Sequence, residues 1–267
     1  MANIQMRHSS PLRVAGMDAQ NLHVPIYAAV HGTPHAHGVI KFHAFWKGVD
    51  HTVLKNCVSR YGWFVAGVLL NSFGVALITK AALGTSPISS LPYVLSFRFP
   101  VSLGQFSFVM NMFFILAQFL LLGKKFRPIQ FLQIAVNVVF SGFIDVSMNL
   151  LSWLEPGNLP LRLLTLSVGC AVLAFGISIE VAPRVLMVPG EGIVQAIASV
   201  TGWRFGSVKV AFDTSLVTTA LILSLFFFHR LQGLGVGTIL SALAVGRFVA
   251  LYNRKLPLIS RISALAA

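Results

Sequence analysis

Residues 185–194 read VLMVPGEGIV, and about 102 positions earlier residues 83–90 read LGTSPISS. In both, an apolar stretch is interrupted by a proline, Pro189 or Pro87, with small residues around it. Beyond each proline only a dozen or so apolar residues follow before Arg98 or Arg204. A crossing helix needs about 20 apolar residues, so neither segment is long enough to span. Both are too apolar for an ordinary loop, which predicts half-helical or re-entrant segments whose first turn is opened by the proline.

The same spacing links other positions. Arg60 and Arg162, Gly67 and Gly169, Phe73 and Phe175, Gly74 and Gly176, and Gly104 and Gly206 all pair at an offset of about 102. Asn111 falls opposite Asp213. Further along the offset moves to about 105, pairing Ser141 with Gly246 and Phe143 with Phe248. Several matches at one offset predict a duplication, with membrane repeats over 56–158 and 159–256.

Composition sets the solvent. The chain is 56% hydrophobic and 10% charged, with a mean hydropathy of +0.80. Water-soluble domains carry about a quarter charged residues, so lipid is the expected surroundings. Six long apolar runs, at about 61–80, 103–123, 130–154, 161–182, 206–228 and 234–252, reach spanning length. The predicted fold is all-α, a polytopic membrane protein of about six transmembrane helices. Three crossings per repeat, with the proline segment not crossing, would place the second repeat upside down relative to the first, the usual build of secondary transporters.

The net charge of +13 is spread over connections rather than gathered into a stripe with interleaved aromatics, so nucleic acid is not the expected partner. With the N-terminus inside, Lys47, Lys55, Arg60, Lys124, Lys125, Arg127, Arg184, Arg204, Lys209, Arg254, Lys255 and Arg261 lie on the inner side; Lys80, Arg98, Arg162 and Arg230 lie outside. That asymmetry predicts an N-in, C-in inner-membrane protein. Residues 1–55 hold seven of the eight histidines, including HGTPHAHG. They are expected to be a disordered leader or sequence upstream of the true start, and residues 257–267 a cytoplasmic tail. Cys57 and Cys170 fit no metal or redox spacing.

Chemistry is sought among polar groups inside the apolar region, because a charge there costs at least about 2.5–3.5 kcal/mol. Hydroxyls crowd the first proline segment at Thr85, Ser86, Ser89 and Ser90, next to Pro87. The second offers Pro189, Gly190, Glu191 and Gly192. Together these are the candidate solute-binding residues: helix starts present unpaired N–H groups, and the glycines admit close approach. Asp145, Asp213, Glu191, Arg247 and Asn111 are the candidate coupling or ion residues. Asp213 lies one helical turn after Lys209 and is expected to pair with it. Asp145 is expected to pair with Arg247. Glu180 and Lys80, near the ends of corresponding spans, are expected to snorkel to water.

No metalloprotease HExxH, nucleophile-elbow GxSxG, phosphate-binding P-loop or potassium-filter sequence occurs. Neither an enzyme nor a resident metal or cofactor is expected.

FGVALITKAALGTSP, KKFRPIQFLQI, GFIDVSMNLL, FGISIEVAP, FGSVKVAFDTSLV and GVGTILSALAVG together resemble the YczE/YyaS/YitT-type family of bacterial integral membrane proteins, over about residues 60–256. The resemblance implies a multi-span protein of a group often described as transporters. It carries family patterns onto Gly84, Thr85, Ser86, Pro87, Asp145, Pro189, Gly190, Glu191, Gly192 and Asp213. Arg247 stands where the family tends to place a proline, and an acid expected near Val236 is missing. The expected function is secondary transport of a small polar or anionic solute coupled to a proton or cation. The competing class is a non-transporting membrane scaffold or accessory factor.

Overall fold

The computed structural model describes the backbone of residues 51–265 and the side chains of residues 56–265. The described chain is all α-helical: α1 (His51–Lys80), α2 (Ser90–Arg98) entered through a short 3-10 turn (Pro87–Ser89), α3 (Leu103–Leu122), α4 (Leu132–Leu150), α5 (Leu159–Val181), α6 (Pro189–Thr201), α7 (Phe205–Phe228), α8 (Val236–Lys255) and α9 (Pro257–Ala264). Six stretches, Asn56–Lys80, Leu103–Lys125, Pro128–Leu150, Leu159–Val181, Phe205–Phe228 and Val236–Lys255, are long and apolar enough to cross a membrane. This is a multi-pass membrane protein. The histidine tract read as a leader lies outside the described residues; His51–Lys55, assigned to the same segment, are helical. The run read as 130–154 ends earlier as a helix, at Leu150. Residues 257–264, read as tail, form α9.

Helix ends follow local chemistry. Ser102 caps α3 through a reciprocal capping box with Gln105. Asn158 caps α5 by accepting from the Leu161 N–H. Gly202 ends α6 in the left-handed conformation (φ 73°), where glycine carries no Cβ penalty.

The centre of the bundle is the α1–α5 pair. In their most apolar windows 61% of α1 and 56% of α5 is buried, against 17% of α7 and of α8. The reason is glycine. A Cβ on Gly67 would meet the Glu180 backbone, on Gly74 the Leu173 backbone, on Gly169 the Ile78 backbone and on Gly176 the Asn71 backbone. Residue numbers rise along α1 as they fall along α5, so the two helices run antiparallel at backbone contact. Small residues are what allow helices in lipid to pack this closely, since no hydrophobic drive separates them from the tails.

The contacts also repeat. Gly67 lies against Glu180 and Gly169 against Ile78, and each of these four positions is matched by another about 102 residues away. Gly74 with Leu173 and Gly176 with Asn71 behave in the same way. Past the two helix ends, Ala82 and Arg184 both adopt positive φ, at 54° and 52°. The Ala82 N–H donates to Thr79 O and the Arg184 N–H to Val181 O, each at 3.1 Å. Ser86 and Val188 then take matching extended conformations (ψ 151° and 153°) immediately before Pro87 and Pro189.

The proline segments form short helices, as expected. α6 has 13 residues, which at about 1.5 Å per residue reaches about 20 Å, less than the ~30 Å hydrocarbon core. Their starts meet: the side chain of Ile88 fills the space above Gly190. An apolar cluster of Leu91, Ile193, Met110, Phe114, Phe212 and Leu216 packs around that meeting point.

Candidate functional site: a cavity with buried acids inside the helical bundle

Behind the meeting point of the two short helices lies a cavity of about 580 Å³, within the ~300–1,000 Å³ range of small-molecule sites. Residues from α1 to α8 line it. Much of the lining is apolar, with Phe140, Leu173, Ile177, Val188 and Met110 among its walls. Set into that wall are Asn71, Ser86, Ser89, Asn111, Ser241, three carboxyl side chains (Glu180, Glu191 and Asp213) and one cation, Lys209. At its edge stand Val181, Met187 and Phe205, which are 44%, 38% and 39% exposed.

Glu180 is the deepest of the acids, at 2% exposure. The Asn71 Nδ2 donates to its Oε2 at 2.9 Å, and no lysine or arginine among the described residues lies within salt-bridge distance of it. The expectation that Glu180 snorkels to water is therefore overturned. The segment after α5 is anchored beside that helix end. Arg60 Nε and Nη2 donate to Pro183 O at 3.1 and 3.0 Å, and α9 packs Ile259 and Ile262 against Ile179 and Ala182.

Glu191 sits in the first turn of α6, where a carboxylate complements the helix dipole. Lys209 Nζ lies 3.9 Å from Glu191 Oε1 and 3.0 Å from Asp213 Oδ1. The Lys209–Asp213 pair is thus formed within one turn of α7, as expected. The same ammonium reaches Glu191 on a different helix. One cation serves two acids, both only partly exposed.

The remaining candidates divide. Ser86, Pro87, Ser89, Gly190, Glu191, Asn111 and Asp213 line the cavity; Thr85, Ser90, Pro189, Gly192, Asp145 and Arg247 do not. The hydroxyls of the first proline segment are largely spent on one another. Thr85 Oγ1 lies 2.8 Å from Thr79 Oγ1, Ser86 Oγ donates to Ser89 Oγ at 3.0 Å, and Ser90 Oγ donates to Pro87 O at 2.6 Å. Thr85 is tied to α8 as well: its N–H donates to Thr238 Oγ1, and its carbonyl accepts from Ser241 Oγ. Gly192 abuts the Gln118 side chain, whose Nε2 donates to Pro189 O at 3.2 Å. The close approach at the glycines therefore comes from side chains, Ile88 and Gln118, and not from another backbone.

The expected Asp145–Arg247 pair is absent among the described residues. Asp145 instead accepts from the Gly104 N–H at 2.8 Å and from Ser102 Oγ at 2.6 Å. Its carboxylate covers the open N-terminus of α3, which satisfies both an orphan donor and the helix dipole. Arg247 is exposed on α8. Asn111 donates to Asn137 Oδ1 at 2.8 Å, joining α3 to α4. Lower on the same pair, Gln118 and Gln133 exchange reciprocal amide bonds at 3.2 Å.

The sequence reading missed Asn71, Glu180 and Ser241 as cavity residues. The signal available for each was a polar side chain within an apolar run. For Glu180 there was a further one: it falls opposite Ile78 in the repeat, an acid where the other half is aliphatic.

Similarity to known proteins supports the membrane assignment and the resemblance noted above. The chain is 26% identical over 195 residues to the uncharacterized membrane protein YczE of Bacillus subtilis (strain 168), covering 72% of this chain and 84% of that one. No solved structure matches the chain. Residues 58–254 match the family described as "Family of unknown function (DUF6198)", and the chain belongs to that family.

Proposed function

We propose that this protein is an inner-membrane secondary transporter for a small polar solute, with N- and C-termini in the cytoplasm. The observation that carries the reading is the 580 Å³ cavity within the bundle, apolar-walled with ionisable and polar groups set into it, to which both proline segments contribute. Buried ionisable groups in a membrane protein face partners or solute pathways, because lipid solvates them poorly. Of the expected solute classes, polar or anionic, three carboxyl groups against one lysine favour the non-anionic branch.

The architecture proposed is two inverted repeats, each of three crossings and one re-entrant half-helix. Matched antiparallel contacts between α1 and α5 support a two-fold axis running across the pair, which turns one half over relative to the other. Ile88 against Gly190 supports the same axis, since equivalent positions meet where an axis passes. Transporters of this design hold their site at that midplane junction. The orientation rests on the basic residues: Lys124, Lys125, Arg127, Arg254, Lys255 and Arg261 share one side in a six-span topology.

The test is accumulation by liposomes reconstituted with the purified protein. They are offered a mixture of amino acids, sugars and quaternary ammonium compounds under an imposed pH or sodium gradient, and the lumen is read by mass spectrometry. The expected result is at least one solute enriched over protein-free liposomes. No enrichment under either gradient, with another protein co-purifying at fixed stoichiometry, contradicts transport and identifies a scaffold.

A further inference from the structure

We infer that the cavity takes a small organic monocation with a compact apolar body, its charge seated beside Glu180. The inference deepens the transport reading and rests on it for where the site lies.

The first ground is charge balance along the wall. Lys209 is shared by Glu191 and Asp213, at 3.9 and 3.0 Å. Glu180 faces the same space with no cation within salt-bridge distance among the described residues, and accepts a hydrogen bond from the neutral Asn71 amide. The site therefore carries more acid than base, and its deepest acid is the one furthest from compensation. A buried carboxylate is stabilised by a cation that reaches it, and the cavity gives a ligand access to it.

The second ground is dispersion of those acids. Among the described residues no three acid, histidine or cysteine side chains converge closely enough to grip a metal ion. A bare ion wants several oxygen ligands at one point. Separated carboxyls around an apolar chamber suit a different guest, one that places a positive group at one wall and hydrocarbon against the rest. Leu173, Ile177, Phe140 and Met110 supply that hydrocarbon surface, and Phe140 offers an aromatic ring where cations are attracted.

The experiment is isothermal titration of the purified full chain in nanodiscs with three probes of similar size: benzyltrimethylammonium, 3-phenylpropionate and benzyl alcohol. Sodium and potassium chloride are titrated separately. The expected result is binding of benzyltrimethylammonium only, weakened about thirtyfold or more in Glu180→Gln. Glu180→Asp, which keeps the carboxyl, should bind more tightly than Glu180→Gln, and a native-like thermal midpoint of Glu180→Gln guards against reading a folding defect as lost recognition. Equal or tighter binding of 3-phenylpropionate or benzyl alcohol overturns the inference. So does saturable sodium or potassium binding without the organic cation, or full affinity in a folded Glu180→Gln. Accumulation of a neutral or anionic solute in the liposome assay would overturn this inference while leaving transport standing. Cation binding without any transport would do the reverse.

Discussion

The side chain of Ile88 ends in the space that a Cβ on Gly190 would occupy, and the two residues hold the same position in the two halves of the chain. Gly190 is helical, so alanine there would ordinarily gain about 0.5–1 kcal/mol, but overpacking costs about 1–3 kcal/mol. Gly190→Ala is expected to lower the thermal midpoint in detergent. In an Ile88→Val background, which removes the obstructing Cδ1, the same substitution should be neutral or stabilising. A loss of equal size in both backgrounds would show that the two residues do not meet.

The α1–α5 seam makes a stronger prediction, because backbone cannot retreat as a side-chain tip can. Gly74→Val and Gly176→Val should each destabilise by about 3 kcal/mol, the upper end of overpacking costs. Gly142→Val, at a position with open space around it, should leave stability unchanged. Monodisperse yield by fluorescence-detected size exclusion separates the two outcomes.

Asp145 stands over the start of α3 and outside the cavity, so its role is read as structural. Asp145→Ala should cost about 1–2 kcal/mol as a lost cap while solute selectivity of the surviving folded protein stays constant. Arg247→Gln should change neither quantity. A folded Asp145→Ala variant that binds or moves solutes differently would place Asp145 in the solute pathway.

Lys209 compensates two acids at once, and its removal should be costlier than the removal of the whole pair. Lys209→Gln is expected to lower stability by about 1–3 kcal/mol, and Lys209→Gln with Asp213→Asn to recover a large part of that loss. Thermal unfolding of the two singles and the double closes the cycle. Additive losses would mean that the 3.0 Å contact contributes nothing to the folded state.

The spans were legible because lipid imposes a long, continuous apolar signal, and both proline segments because they are too short for it. Rotation about a helix axis was not legible. Asp145 and Arg247 sit at related depths in the sequence, yet one turns toward the start of α3 and the other is exposed. Glu180 was misplaced for a similar reason: a residue at a span end reaches water only if its face of the helix points outward. The Glu180 side chain turns inward to the cavity and to Asn71 of α1, and such a contact between distant segments leaves no trace in local hydropathy. The Lys209–Asp213 pair was readable because its spacing lies within one helix, whereas its link to Glu191 spans two.

Alternating access is the property that separates a transporter from a scaffold without knowledge of the solute. Ser89 is buried at 4% exposure and lines the cavity beside the junction of the two halves. The measurement is labelling of Ser89→Cys, in a Cys57→Ser/Cys170→Ala background, by a membrane-impermeant cationic methanethiosulfonate in right-side-out and in inside-out vesicles. The predicted result is modification from both sides, slowed from one side when benzyltrimethylammonium is present. Modification from a single side only, with a surface-cysteine control reacting normally in each vesicle type, would contradict a transport role for the cavity.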